Sequence, residues 1–238
     1  MHFALDKQRI SAGAAGWVPP LANGYHLSRD EFERRYDRMP DVKRAELIEG
    51  IVFLGSPVSV SHGEPHARIM ALLGYYAART PLVRIADNVT YRVDEKNEFQ
   101  PDAALFIDET AGGKGVIPDM YLEGAPELVC EIALSSYSQD LFEKKDAYYR
   151  AGVKEYLVWE VEELTLTLFR RGKKGFSPSS ADSDSLIRSA IFPGLWINAE
   201  ALITGQVDRA LDDIDSGLRD SGHTEFKTLL QKRAARNK

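Results

Sequence analysis

The chain reads as an α/β protein of the α+β kind, with strands and helices mixed along its length. Three observations lead there. Residues 44–54 and 154–169 each hold two apolar runs separated by a short break, the pattern of paired strands. Ile69, Leu72, Leu73 and Tyr76 recur at i, i+3, i+4 and i+7, the stripe of a helix that buries one face against a sheet. Residues 99–107 and 126–133 are strand-like apolar runs, and each carries one carboxylate, Asp102 and Glu131.

Composition bounds the rest. With 238 residues, 44% hydrophobic and 10% aromatic, the chain is long and apolar enough for a sizeable core. Its 36 acidic against 30 basic residues give a net charge of -6, so nucleic acid is not attracted globally and would need a local basic patch. Cys130 is the single cysteine; it forms no intramolecular disulfide and reads as a small buried hydrophobe. The first residues lack a basic region followed by an apolar core, and no apolar run reaches the ~18 residues a membrane span needs. The expectation is a cytoplasmic protein that does not engage membranes.

In order along the chain, residues 1–25 are rich in Gly, Ala and Pro and predict an irregular arm without a packed element. Ser28 is a candidate N-cap, with acids in the first turn and Phe32 and Tyr36 at helical spacing, for a short helix to about Met39. Glu49-Gly50 joins the two strands of the first hairpin, and Glu46 lies on the first strand. His62 and His66 stand at the mouth of the Ile69–Tyr76 helix; a two-histidine metal site is one reading, but no third ligand is near and Pro65 between them argues against both facing one way, which favours a capping, phosphate-facing or plain surface role. Residues 82–93 read as one strand with an Asp-Asn interruption, and residues 94–97 turn the chain back.

Residues 111–115 are Gly-rich but lack the Gly-Lys-Ser/Thr ending of a phosphate loop, so they predict a flexible excursion. A helix carrying Lys144, Lys145 and Tyr148 runs to about Ala151, closed by Gly152. After the strand pair at 154–169, residues 170–175 form a basic turn, and residues 177–185 form a long loop. Helical segments with a basic end follow from Ala199. An exposed sheet face bearing Leu164, Leu166, Leu168 and Trp196 would favour a homodimer.

Two carboxylates on apolar strands must be paired, hydrated or bound to a cation. Asp102 and Glu131 supply the hard oxygens that Mg²⁺ or Mn²⁺ prefers, with the backbone carbonyl of Ile132 a further ligand. Lys144, one turn before Tyr148 on the same face, is placed to orient an attacking water, and Lys145 then points elsewhere. An acid, an acid and a lysine make the constellation of a metal-dependent phosphodiesterase. In the structural alternative Asp102 caps or kinks a strand, Glu131 pairs with an arginine such as Arg44, and Lys144 is a solvated helix charge.

The ordered set at 44–50, His66, Pro101-Asp102, 126–132, Lys144 with Tyr148, and 151–159 resembles the Uma-two family of restriction-endonuclease-like proteins, in the PD-(D/E)XK nuclease superfamily. The resemblance implies a restriction-endonuclease-like core, a central mixed sheet flanked by helices, over residues 26–198, with residues 199–238 a helical extension packed on it. It implies catalytic Asp102, Glu131 and Lys144, with Glu46 a secondary acid and His66 a substrate or structural contact. It also implies a Mg²⁺-dependent endonuclease that hydrolyses DNA. Ala133 stands two residues after Glu131 where many relatives carry lysine, so Lys144 must take that role from the following helix. The alternative is a catalytically silent nuclease fold that binds nucleic acid or a protein partner.

Overall fold

The computed structural model describes residues 17–134 and 139–237. Most of the N-terminal arm, residues 1–16, and the segment 135–138 lie outside the described residues. The elements run α1 (Arg29–Tyr36), β1 (Ala45–Ile48), β2 (Ile51–Leu54), α2 (Val60–Arg79), β3 (Val83–Asp87), β4 (Tyr91–Asp94), β5 (Asn97–Phe99) and β6 (Ala103–Ile107). Then come β7 (Leu122–Glu123), β8 (Leu128–Ala133), α3 (Gln139–Ala151), β9 (Glu155–Glu160), β10 (Thr165–Arg171), β11 (Phe176–Pro178), β12 (Leu186–Arg188), β13 (Trp196–Asn198), α4 (Ala199–Ile203), α5 (Val207–Leu218) and α6 (Ser221–Arg236).

The central layer is a six-stranded mixed sheet in the order β11-β10-β9-β8-β6-β3. β8 and β9 pair in parallel, with α3 as their crossover; the other neighbours are antiparallel. Because side chains alternate along a strand, this sheet buries two faces. Leu105 and Ile107 of β6 and Leu128, Cys130 and Ile132 of β8 face α2, α5 and α6. Ala104, Phe106 and Val129 face the opposite way, onto α3 and a five-stranded sheet ordered β2-β1-β5-β4-β7. Glu131 shares the parity of Val129, and Asp102 that of Ala104. Both carboxylates therefore belong to the face covered by α3 and β1.

Local signals hold where they depend on a few neighbouring residues. Ser28 caps α1 by accepting from the Glu31 N–H at 3.4 Å, although the helix ends at Tyr36, short of Met39. Glu49 and Gly50 take φ of 50° and 81°, the left-handed pair that a two-residue hairpin turn needs. Gly152, with φ of 103°, closes α3.

Several expectations change. Residues 82–93 are not one strand: the chain leaves the six-stranded sheet after Asp87, turns at Asn88 with φ of 47°, and enters the five-stranded sheet as β4. The Gly-rich stretch is no flexible excursion, because a Cβ on Gly113 would lie 1.7 Å from the Ile107 carbonyl oxygen. Only a glycine lets the backbone pass that close. The described part of the arm is irregular yet packed, with Leu21 buried beside Phe32, Leu47 and Val52. Leu166 and Leu168 are buried in the main core while Leu164 is exposed, so the four residues expected to favour a homodimer do not form one exposed apolar face. Among the described residues no helix is long and apolar enough to cross a membrane.

β5 is buried throughout, including Glu98 at 3% exposure. Burial, and then the neighbouring Glu33 carboxyl, push Glu98 up to about 9. A carboxyl raised above its unfolded value stabilises the fold below that unfolded value and loses the contribution as pH rises through the folded one. Glu98→Gln removes this titration. It is expected to leave the protein more stable than the parent at pH 7, by on the order of 3 kcal/mol, with little difference near pH 4. Urea unfolding at the two pH values reads the difference; equal midpoints at both would rule it out.

Candidate active site

The ladder between β6 and β8 ends at the pair Ala103↔Cys130, and Asp102 stands just beyond it. Its Oδ2 accepts the Ile132 N–H at 2.8 Å, so the carboxylate closes the end of the ladder. The N–H and C=O of one strand residue lie along the same edge, so the Ile132 carbonyl also faces the Asp102 side. Asp102 is 1% exposed. Arg44 Nη1 approaches its Oδ1 at 3.4 Å, and His62 Nε2 its Oδ2 at 3.4 Å. Burial alone would raise this carboxyl; the His62 contact, the Arg44 charge and the Ile132 N–H outweigh it and hold Asp102 below the usual carboxylate range.

Glu131, on β8, accepts at one oxygen from two donors on α3: Tyr148 Oη at 2.7 Å and Lys144 Nζ at 3.3 Å. Lys144 Nζ also donates to Glu46 Oε1 at 2.9 Å, and that oxygen takes the Gln100 N–H at 2.7 Å. One buried ammonium thus bridges a carboxylate on β1 and another on β8. The spacing i, i+4 puts Lys144 and Tyr148 on one face of α3, while Lys145 points away, over the Phe169 ring. Burial pushes Glu131 up to about 7, with Asp102 and Glu46 adding to the rise and Lys144 and Arg44 opposing it. Burial works against the charge on Lys144 as well, but Glu131 and Glu46 more than offset that and hold its pKa above the ordinary lysine value.

All six side chains singled out from the sequence converge here: Asp102, Glu131, Lys144, Glu46, Tyr148 and His66. His66 Nε2 lies 2.9 Å from the Asp102 carbonyl oxygen and 3.0 Å from Asp87 Oδ1, a contact that steadies the strand end. His62 faces the same way, against expectation, with the two ring centroids 6.0 Å apart. α2 begins at Val60 and runs through Pro65, where a proline so near the start forfeits few ladder bonds, so the two histidines sit one turn apart on one face. Arg44 does not pair with Glu131 directly. Its Nη1 meets Asp102, its Nη2 donates to the Gln100 carbonyl at 2.9 Å, and Glu46 lies 3.7 Å away. No local pattern marks Arg44, since its partner Asp102 is 58 residues away in sequence.

Asp102 and Glu131, with the Ile132 carbonyl, form a hard-oxygen donor set that fits Mg²⁺ or Mn²⁺. Among the described residues no group of three or more His, Cys, Asp or Glu is arranged to hold a metal ion. Tyr148→Phe tests the preorganisation of Glu131. Removing the one hydroxyl should cost about 1–3 kcal/mol in urea unfolding. An unchanged midpoint would show that the bond contributes nothing.

The chain is similar to known proteins in two ways. The profile of the Uma2 (Uma-two) family, described as "Putative restriction endonuclease", matches residues 29–200. A crystal structure described as a putative nuclease belonging to DUF820, from Anabaena variabilis, superposes with a TM-score of 0.58. It is 15% identical, and the match covers 72% of this chain and 96% of that one, a likeness of fold. No functionally curated protein matches the sequence.

Proposed function

Because the chain belongs to the Uma2 family, whose profile spans residues 29–200, we propose that the Asp102, Glu131 and Lys144 cluster is the active site of a Mg²⁺- or Mn²⁺-dependent endonuclease that hydrolyses DNA phosphodiester bonds. The observation that carries this reading is the Lys144 ammonium, which lies 3.3 Å from Glu131 Oε1 although position 133 is alanine. The ammonium that many relatives place on the strand reaches Glu131 here from the next helix.

Asp102, Glu131 and the Ile132 carbonyl are the residues that would hold the cation. When bound there, the cation supplies positive charge to the phosphoryl oxygens and lowers the pKa of water. Lys144 orients the attacking water and keeps a positive charge beside the negative charge that develops on the phosphate. Tyr148 fixes the Glu131 carboxylate, and Glu46 fixes the Lys144 ammonium, so neither needs to reorganise during reaction. His62, Arg44 and the Ile132 N–H together keep Asp102 ionised.

The test is cleavage of plasmid and linear DNA with Mg²⁺ or Mn²⁺ by the parent, Asp102→Asn and Glu131→Gln, with Mn²⁺ binding followed by calorimetry. Loss of activity in both variants, with weakened Mn²⁺ binding, supports the proposal. A parent that binds DNA but neither binds Mn²⁺ nor cleaves would favour the silent, binding-only alternative.

A further inference from the structure

Arg44 stands one residue before β1 and is held at its backbone and at its head. At the backbone, the Gly55 N–H donates to the Arg44 carbonyl at 2.9 Å, and a Cβ on Gly55 would lie 2.8 Å from the Arg44 Cβ, so glycine leaves the room that the arginine stem takes. At the head, Nη2 donates to the Gln100 carbonyl at 2.9 Å. The contacts with the acids are looser: Nη1 lies 3.4 Å from Asp102 Oδ1, and Nη2 lies 3.7 Å from Glu46 Oε1. A guanidinium committed to a carboxylate sits at about 2.7–2.9 Å and engages it with two parallel N–H groups. Arg44 does neither.

Both acids have firmer partners. Glu46 Oε1 accepts from Lys144 Nζ at 2.9 Å and from the Gln100 N–H at 2.7 Å. Asp102 Oδ2 accepts the Ile132 N–H at 2.8 Å, which leaves Oδ1 as the oxygen available to a cation, and the Oδ1 partner among the described residues is Arg44. A metal cation and the Nη1 group would compete for the same lone pairs and repel each other. Giving up so long a contact costs the guanidinium little, and the Gln100 bond keeps it beside the cluster. The Arg44 side chain is 26% exposed against 7% for Lys144, so Arg44 is the more solvent-accessible of the two cations. Of its five N–H donors two make hydrogen bonds among the described residues, and a planar fork with donors to spare matches the oxygens of a phosphate.

We propose that Arg44 is a further catalytic residue: it exchanges Asp102 Oδ1 for a phosphoryl oxygen of the scissile group when Asp102 takes up a cation, while Nη2 stays on the Gln100 carbonyl. This assignment rests on the endonuclease reading. Lys144 and Arg44 approach the same Glu46 oxygen, so the charge developing on the phosphate meets two cations already held in place.

The experiment titrates Mn²⁺ into the DNA-free parent and Arg44→Gln by calorimetry, and follows cleavage of plasmid DNA by both at saturating Mn²⁺. Arg44→Gln is expected to bind Mn²⁺ about threefold tighter or more, because Asp102 no longer exchanges one cation for another, and to cleave about a hundredfold slower, mostly through kcat. A residue that only steadied Asp102 would weaken Mn²⁺ binding when lost. In a folded Arg44→Gln, Mn²⁺ affinity no tighter than the parent's, or cleavage within about threefold of the parent, overturns the assignment and leaves the endonuclease reading standing. A parent that fails to bind Mn²⁺ or to cleave DNA overturns that reading and the assignment with it. Should Arg44→Gln not fold, Arg44→Lys carries the test. Its ammonium keeps the charge beside Asp102 but lacks the fork that holds the Gln100 carbonyl and a phosphoryl oxygen together, so Mn²⁺ affinity is expected within about twofold of the parent and cleavage about tenfold slower. Arg44→Lys cleavage within about twofold of the parent would overturn the assignment.

Discussion

Asp102→Asn is expected to lower DNA cleavage at least about a thousandfold while the protein stays folded. Asparagine keeps the shape of the side chain, and its carbonyl oxygen can still accept the Ile132 N–H, now bound by Asp102 at 2.8 Å. The variant loses the negative charge. A neutral amide is a poor ligand for a hard divalent cation, and a thousandfold corresponds to about 4 kcal/mol of transition-state stabilisation, within what a single charge at a metal site supplies. The stability cost is smaller, about 1–2 kcal/mol, because the Arg44 contact is long at 3.4 Å and Arg44 keeps its bond to the Gln100 carbonyl. Cleavage assays beside thermal unfolding separate the two effects. Activity within threefold of the parent would make Asp102 a structural cap of the β6–β8 ladder.

The largest stability effect is expected from Lys144→Met. Methionine fills much of the lysine stem but leaves Glu46 and Glu131 buried without the ammonium that bridges them at 2.9 Å and 3.3 Å. Removing one partner of a buried ion pair typically costs about 3–5 kcal/mol. The deficit should depend on pH. Burial already raises the Glu131 carboxyl and Lys144 opposes that rise, so without Lys144 the stabilising contribution of Glu131 is present at low pH and is lost as pH rises. Urea unfolding is therefore expected to show a small deficit near pH 5 and the full one near pH 8. A deficit that does not change with pH would mean that the lost lysine contacts are apolar and not ionic.

These two variants bear on different parts of the sequence reading. The order of acid, acid and lysine on strand, strand and helix was legible because each residue sits in a short window whose period can be read. Glu131 follows Val129 on an apolar strand, and Lys144 precedes Tyr148 by one helical turn. Arg44 and His62 were not legible as partners of Asp102. Both contacts join segments far apart in sequence, and a surface arginine and a half-buried one look alike in a local window. His62 was further obscured by Pro65, which signals a break in general but is tolerated near the start of α2. The dimer-favouring face failed for a related reason: Leu166 and Leu168 alternate as expected of a strand, but alternation does not say whether helices cover that face.

By itself the sequence determined the periodic elements and their ends: the Ser28 cap, the Glu49-Gly50 turn, the apolar stripe of α2, the Gly152 stop and the two acid-bearing strands. Propensity, capping and periodicity act within a few residues, so they are written locally. The tertiary structure alone decided that residues 82–93 divide between two sheets, that Asp102 and Glu131 share the face covered by α3 and β1, and that Lys144 bridges Glu131 to Glu46. Those outcomes depend on which faces pack together across long sequence separations, and the burial of whole layers sets that choice.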